Sequence, residues 1–218
     1  MVSVSEVLDG QLPSQADVVI TAFEVNELHG TGILLLGMFP DSSSIVSLRS
    51  ASYYAGTKLF GAARFCLPER GASRSEIRSQ IKNWLSGTSV RRVLCCPYHP
   101  EDVTAALEVK DLFGVPLCMY LMDDRNVCDS GISDSEMEEL VSKSRLRLTI
   151  SPEMRAAYEK KYRRKFWLLP PLVSEELIRI KPATSRPPAG PPRGVIIGNI
   201  WGQRWLDRLR EAFRGSGF

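Results

Sequence analysis

Few residues in this 218-residue chain have types and spacing suited to chemistry, and they gather in three short segments. The first is His29-Gly30-Thr31-Gly32, where two glycines flank a threonine at a helix start, so that backbone N–H groups could approach an anion closely, as phosphate sites require. It is neither G-x-G-x-x-G nor a P-loop, and a tight turn with Thr31 as a cap explains the same residues. The second is Pro97-Tyr98-His99-Pro100, a stiff loop able to aim an imidazole at a hydroxyl as general base or to donate a hydrogen bond to a sugar. A purely structural histidine is the plainer alternative. The third is Asp123-Asp124-Arg125. Adjacent residues in extended backbone point opposite ways, so one aspartate faces a crevice, as a base or a ligand for hydroxyls, while the other caps the next segment.

The sharpest charge cluster is Lys160, Lys161, Arg163, Arg164 and Lys165, just ahead of Phe166-Trp167. Such a surface can hold anionic lipid headgroups at roughly 1 kcal/mol per residue, although cations answering a helix C-terminal dipole are the commoner case. Nothing like an interleaved base-stacking pattern accompanies it, which argues against nucleic acid. The formal net charge of +3, from 28 Lys and Arg against 25 Asp and Glu, excludes a whole-protein field. Five cysteines without Cys-x-x-Cys spacing, two histidines and no Asp-x-Asp predict neither a disulfide frame nor a bound metal. The longest apolar stretches, 32–39 and 115–122, fall far below the roughly 18 residues of a membrane span. A cytoplasmic protein, peripheral to a membrane at most, is expected.

The elements that must position these segments are readable from periodicity. Strands are predicted at 18–22, 45–48, 63–66, 92–96, 117–121 and 145–150, the last alternating as a strand near a sheet edge would. Helices are predicted at 33–39, from the capping box Ser73-Arg-Ser-Glu76, at 101–113 before Gly114, from the capping box Ser133-Asp-Ser-Glu136 to 143, and from Ser151-Pro152 to 162. Strict alternation of strand and helix predicts an α/β fold, a Rossmann-like doubly wound and mostly parallel sheet over residues 1–180. Residues 181–193 hold five of the 14 prolines and read as a linker. Residues 194–200 read as a strand and 203–213 as a helix, too little to bury their own faces and so the start of a second domain that this sequence does not complete.

Cys96-Pro-Tyr-His-Pro-Glu-Asp102, Leu121-Met-Asp-Asp124, Ser151-Pro-Glu-Met154, Tyr158, Tyr162 and Leu169-Pro-Pro-Leu-Val173 together resemble the N-terminal domain of retaining GT-B glycosyltransferases of the family 4 type, over roughly residues 15 to 180. The resemblance implies transfer of a sugar from a nucleotide-sugar donor to a carbohydrate or glycolipid acceptor, with retention and without an essential metal or other cofactor. It implies donor phosphate contacts at Gly30, Thr31 and Gly32, catalytic positions at His99, Asp123 and Asp124, and acceptor contacts at Glu24, Tyr98 and Arg125. It also marks a departure. The family's donor site carries a Glu-x7-Glu motif, and no two glutamates here stand eight positions apart, so these residues alone are expected to be nearly silent in transfer. A noncatalytic carbohydrate-binding or scaffold module is the alternative. A nicotinamide-dependent enzyme ranks last for want of the full glycine fingerprint after the first strand.

Overall fold

The computed structural model describes residues 5–7, 12–51, 60–68, 71–171 and 203–215. Its first compact unit, Met1–Ile178, is built on an eight-stranded sheet among the described residues. The strands are β1 (Ser5–Val7), β2 (Gln15–Thr21), β3 (Ile45–Arg49), β4 (Ala63–Cys66), β5 (Ser89–Cys96), β6 (Leu117–Leu121), β7 (Leu146–Thr149) and β8 (Trp167–Leu168). They lie in the order β1-β4-β3-β2-β5-β6-β7-β8, all parallel except β1, which runs antiparallel to β4 at the edge. The doubly wound, mostly parallel α/β sheet expected from the alternation is therefore what the chain forms. β7 stands one strand from the edge, as its alternation implied. The two short edge strands β1 and β8 carry no periodicity of their own and were not expected.

Helices α1 (Gly30–Met38), α2 (Arg74–Trp84), α3 (Pro100–Phe113), α4 (Asp134–Lys143) and α5 (Pro152–Tyr162) link these strands. Both serine capping boxes form: Ser73 accepts from the Glu76 N–H and Ser133 from the Glu136 N–H, while each glutamate side chain returns to its serine. The winding sorts the helices by face. Val18, Ile20, Val46, Leu48, Val93, Cys95, Leu117 and Met119 pack with Ile77 and Ile81 of α2, Val103 and Leu107 of α3, Leu140 of α4 and Tyr158 of α5. The opposite face carries Val19, Ile45, Leu94, Cys96 and Tyr120, packed with Leu35 of α1. The crossover from β2 to β3 thus puts α1 on one face, while the return from β4 to β5 and the crossovers from β5 toward β8 put α2, α3, α4 and α5 on the other.

The second unit, Arg179–Phe218, contains α6 (Gln203–Gly215), in agreement with the helix expected over 203–213. The linker at 181–193 and the strand at 194–200 lie outside the described residues.

Candidate functional site

A parallel sheet gathers the loops that follow its strands on one rim, and a crevice opens where neighbouring strands send their connections in opposite directions. Here that point is β2 beside β5, since β2 leads away to β3 and β5 leads away to β6. Thr21 and Cys96, the last residues of the two strands, are partners in register. All three segments singled out by residue type therefore lie on the same rim: residues 22–32 after β2, 97–100 after β5 and 122–125 after β6.

The loop after β2 is fixed from below and above. Glu24 is buried, and its Oε2 receives the guanidinium of Arg49 at 2.6 Å and that of Arg64 at 2.5 Å. Its carboxylate is thus spent on two arginines from β3 and β4 and presents no surface to an acceptor, unlike the contact role the resemblance implied. His29 is the N-cap of α1, accepting the Gly32 N–H on Nδ1 at 3.2 Å while Nε2 meets the Glu24 carbonyl at 2.5 Å. The imidazole therefore occupies the Gly32 donor, while the Gly30 and Thr31 N–H groups are not used by the cap. Gly32 is required for a different reason, because a Cβ there would stand 2.0 Å from the Asn26 carbonyl oxygen.

The loop after β5 meets the first one directly. Thr31 Oγ1 and the Tyr98 hydroxyl are 2.6 Å apart. The Phe23 ring lies between, with its centroid 4.8 Å from that of Tyr98 and 5.6 Å from that of His29. Asp102, the third residue of α3, is fully buried, and its Oδ2 accepts the backbone N–H of Tyr98 at 3.0 Å and of His99 at 2.9 Å. It holds the loop that aims Tyr98 and His99. Burial pushes the Asp102 carboxyl up to about 6 against the help of these donors and of the nearby Ser50, which sits outside good hydrogen-bond geometry.

A sign follows for stability. A carboxyl whose folded value is raised from 3.8 to about 6 contributes stability that is complete below about pH 4 and lost as pH rises through 6. Asp102→Asn removes that loss, so the variant should gain about 2 kcal/mol relative to the parent between pH 4 and pH 7. Urea unfolding at both pH values reads this difference, and a gap independent of pH would contradict it.

In the third segment the two aspartates part as expected from extended geometry. Asp124 turns inward and caps the loop, with Oδ1 accepting the Asn126 and Val127 N–H groups and Oδ2 that of Cys128, while the Tyr158 hydroxyl donates to Oδ1 at 3.0 Å. Burial pushes its carboxyl up, but these donors outweigh it and bring it down to about 2. Asp123 is exposed and raised by desolvation, and its charge reaches the Tyr98 hydroxyl, which burial already holds well above the usual phenol range. Arg125 ties the loops together, donating from Nε to the Tyr98 carbonyl at 3.2 Å and from Nη1 to Asp129 at 2.5 Å. The crevice thus joins Phe23, His29, Thr31 and Tyr98, with Asp123 within electrostatic reach of the Tyr98 hydroxyl.

No protein-family model and no curated protein matches this chain. A half-buried Phe23 ring beside the Thr31–Tyr98 hydroxyl pair, an imidazole and an exposed carboxylate can hold a polyhydroxylated ring by stacking on Phe23 and by hydrogen bonds. Among the described residues no group of three or more His, Cys, Asp or Glu is arranged around a common metal position. The thiols of Cys95 and Cys96 are fully buried and pushed well above the ordinary cysteine range by desolvation, so they serve packing and not nucleophilic chemistry.

Phe23, Arg49, Arg64 and Asp102 are the site residues that motif reading missed. Only Asp102 had a signal, as an acid three positions after His99 and just past Pro100, the spacing of a capping box. The arginines sit inside or at the end of otherwise apolar strands, where nothing in the sequence couples them to Glu24. The basic run lies elsewhere, at the end of α5, where Lys161 binds the Asn126 carbonyl at 3.1 Å and Asp134 at 2.6 Å.

Proposed function

We propose that these residues act as the acceptor-side half of a retaining GT-B glycosyltransferase, transferring a sugar from a nucleotide-sugar donor to a carbohydrate or glycolipid acceptor without a metal. The observation that supports this most is the rim beside β2 and β5, where the half-buried Phe23 offers part of a ring face and Thr31, Tyr98 and Asp123 offer hydrogen-bonding groups to one sugar ring. In this reading Asp123, raised by desolvation, accepts a hydrogen bond from the acceptor hydroxyl. Arg125 and Asp102 position the two loops. The Gly30 and Thr31 N–H groups at the start of α1, which the His29 cap does not use, take a donor phosphate. The cytoplasm, at a membrane surface, is the proposed location; no helix among the described residues is long and apolar enough to cross a membrane.

The diphosphate-neutralising motif of the family is not among these 218 residues, so the reading carries a sharp expectation for the chain as it stands. Calorimetric titration with a set of nucleotide sugars should give no stoichiometric donor binding, and product analysis by mass spectrometry no transfer above the uncatalysed rate. Tight one-to-one donor binding would overturn the division of labour proposed here.

A further inference from the structure

The far edge of the sheet is electrically unlike the rest of the chain. Residues 143–168, spanning β7, α5 and β8, hold nine Lys and Arg against two Glu, a net +7, which leaves −4 for the other residues of a chain whose total is +3. Part of this charge is answered. Lys143 meets Asp111 and Glu139, Lys161 meets Asp134, and Lys165 meets Glu159 at 3.7 Å. Arg145, Lys160, Arg163 and Arg164 have no carboxylate within 4 Å among the described residues, and the Arg164 charge presses on Arg147, which donates to the Lys165 and Val141 carbonyls instead of to an acid.

The same edge exposes apolar surface. Trp167 is 58% exposed, Leu146 40% and Leu168 38%, in strands whose partners elsewhere in the sheet are buried. The register pairs Leu148 with Trp167, so Leu146, Leu148 and Trp167 lie on one face, the face that α1 covers only near β2 and β3. Lys165 Nζ stands 5.5 Å from the Trp167 ring centre. An exposed tryptophan and leucines bordered by guanidiniums without acid partners is the pattern of an interfacial anchor, in which the indole sits at headgroup depth while the cations meet phosphates.

We infer that the β7–α5–β8 edge is a docking surface for an anionic lipid bilayer, with Leu146 and Trp167 entering the interface and Arg145, Lys160, Arg163 and Arg164 meeting the headgroups. This deepens the membrane-surface part of the reading above and is independent of its sugar chemistry. Arg145 directly precedes β7 and residues 163–165 lead into β8, so the patch is at the amino ends of β7 and β8, on the rim opposite the crevice at the carboxyl ends of β2 and β5. Both sites can be occupied at once.

Cosedimentation of the full chain with vesicles of neutral phosphatidylcholine, and of the same lipid with a third phosphatidylglycerol, tests the inference. Binding is expected to the anionic vesicles only, to weaken with added salt, and to fall about 10-fold or more in the Arg163→Glu/Arg164→Glu double variant. Trp167→Ala should weaken it at unchanged charge, and circular dichroism reports whether each variant keeps its fold. Equal binding by parent and folded variants, no binding to anionic vesicles at low salt, or charge-dependent binding to RNA without vesicle binding would each overturn the inference. None of these results bears on saccharide binding at the crevice.

Discussion

Glu24→Ala is expected to cost about 3–5 kcal/mol in folding stability, the largest effect of any single substitution at the site. The magnitude follows from burial. Glu24 supplies one counter-charge to Arg49 and Arg64, both themselves buried, and a charge left in that setting without its carboxylate forfeits Coulomb attraction that water does not replace. The midpoint of urea unfolding should drop accordingly. A second variant separates electrostatics from packing: in Glu24→Gln the shape is kept and the charge removed, so most of the loss should persist. Replacing Glu24, Arg49 and Arg64 together by apolar residues of similar volume should cost less than Glu24→Ala alone. If Glu24→Ala shifts stability by less than about 1 kcal/mol, the loop after β2 is not anchored by this cluster, since exposed pairs are worth no more than that.

Gly32→Ala is expected to lose about 3 kcal/mol, at the upper end for a group forced into packed backbone. Its Cβ would sit 2.0 Å from the Asn26 carbonyl oxygen and 2.7 Å from the Asn26 nitrogen, and neither atom belongs to a side chain that can turn away. Relief requires the loop between β2 and α1 to shift, which would also disturb the contact between Thr31 and Tyr98. Gly30 is the control. A Cβ at Gly30 meets nothing within 4 Å, and alanine there gains up to about 1 kcal/mol of helix propensity, so Gly30→Ala should be neutral or stabilising. Equal losses at both glycines in thermal melts would show that the segment does not distinguish them as the packing says.

The contrast between these glycines marks how far sequence reading went. Strand and helix order was legible because apolar periodicity and serine capping boxes are local signals, and the local signals here agree with the global winding. That three loops share one rim followed from parallel topology alone. The partition of Asp123 from Asp124 was legible from extended geometry, although which one turns inward was not, because residue type does not distinguish them and Asp124 is held by the turn over Asn126, Val127 and Cys128 together with the Tyr158 hydroxyl 34 residues away. Glu24 was read as a surface contact because nothing local ties it to Arg49 and Arg64. The edge strand β8 escaped notice because two residues cannot show a period. Long-range pairing between charged side chains has no sequence signature, and the loop after β2 rests on two such pairs, Glu24 with Arg49 and with Arg64.

Under the proposed function, the crevice between Phe23, Thr31, Tyr98 and Asp123 binds a sugar ring. Two-dimensional amide NMR of the full chain during titration with a panel of mono- and disaccharides is the decisive test. At least one saccharide should shift the resonances of residues 23–32, 97–99 and 122–125 together, and that set of shifts should vanish in Tyr98→Ala while the rest of the spectrum remains that of the folded protein. Shifts confined to other surfaces, or no saccharide response from the folded parent at millimolar concentrations, would contradict it.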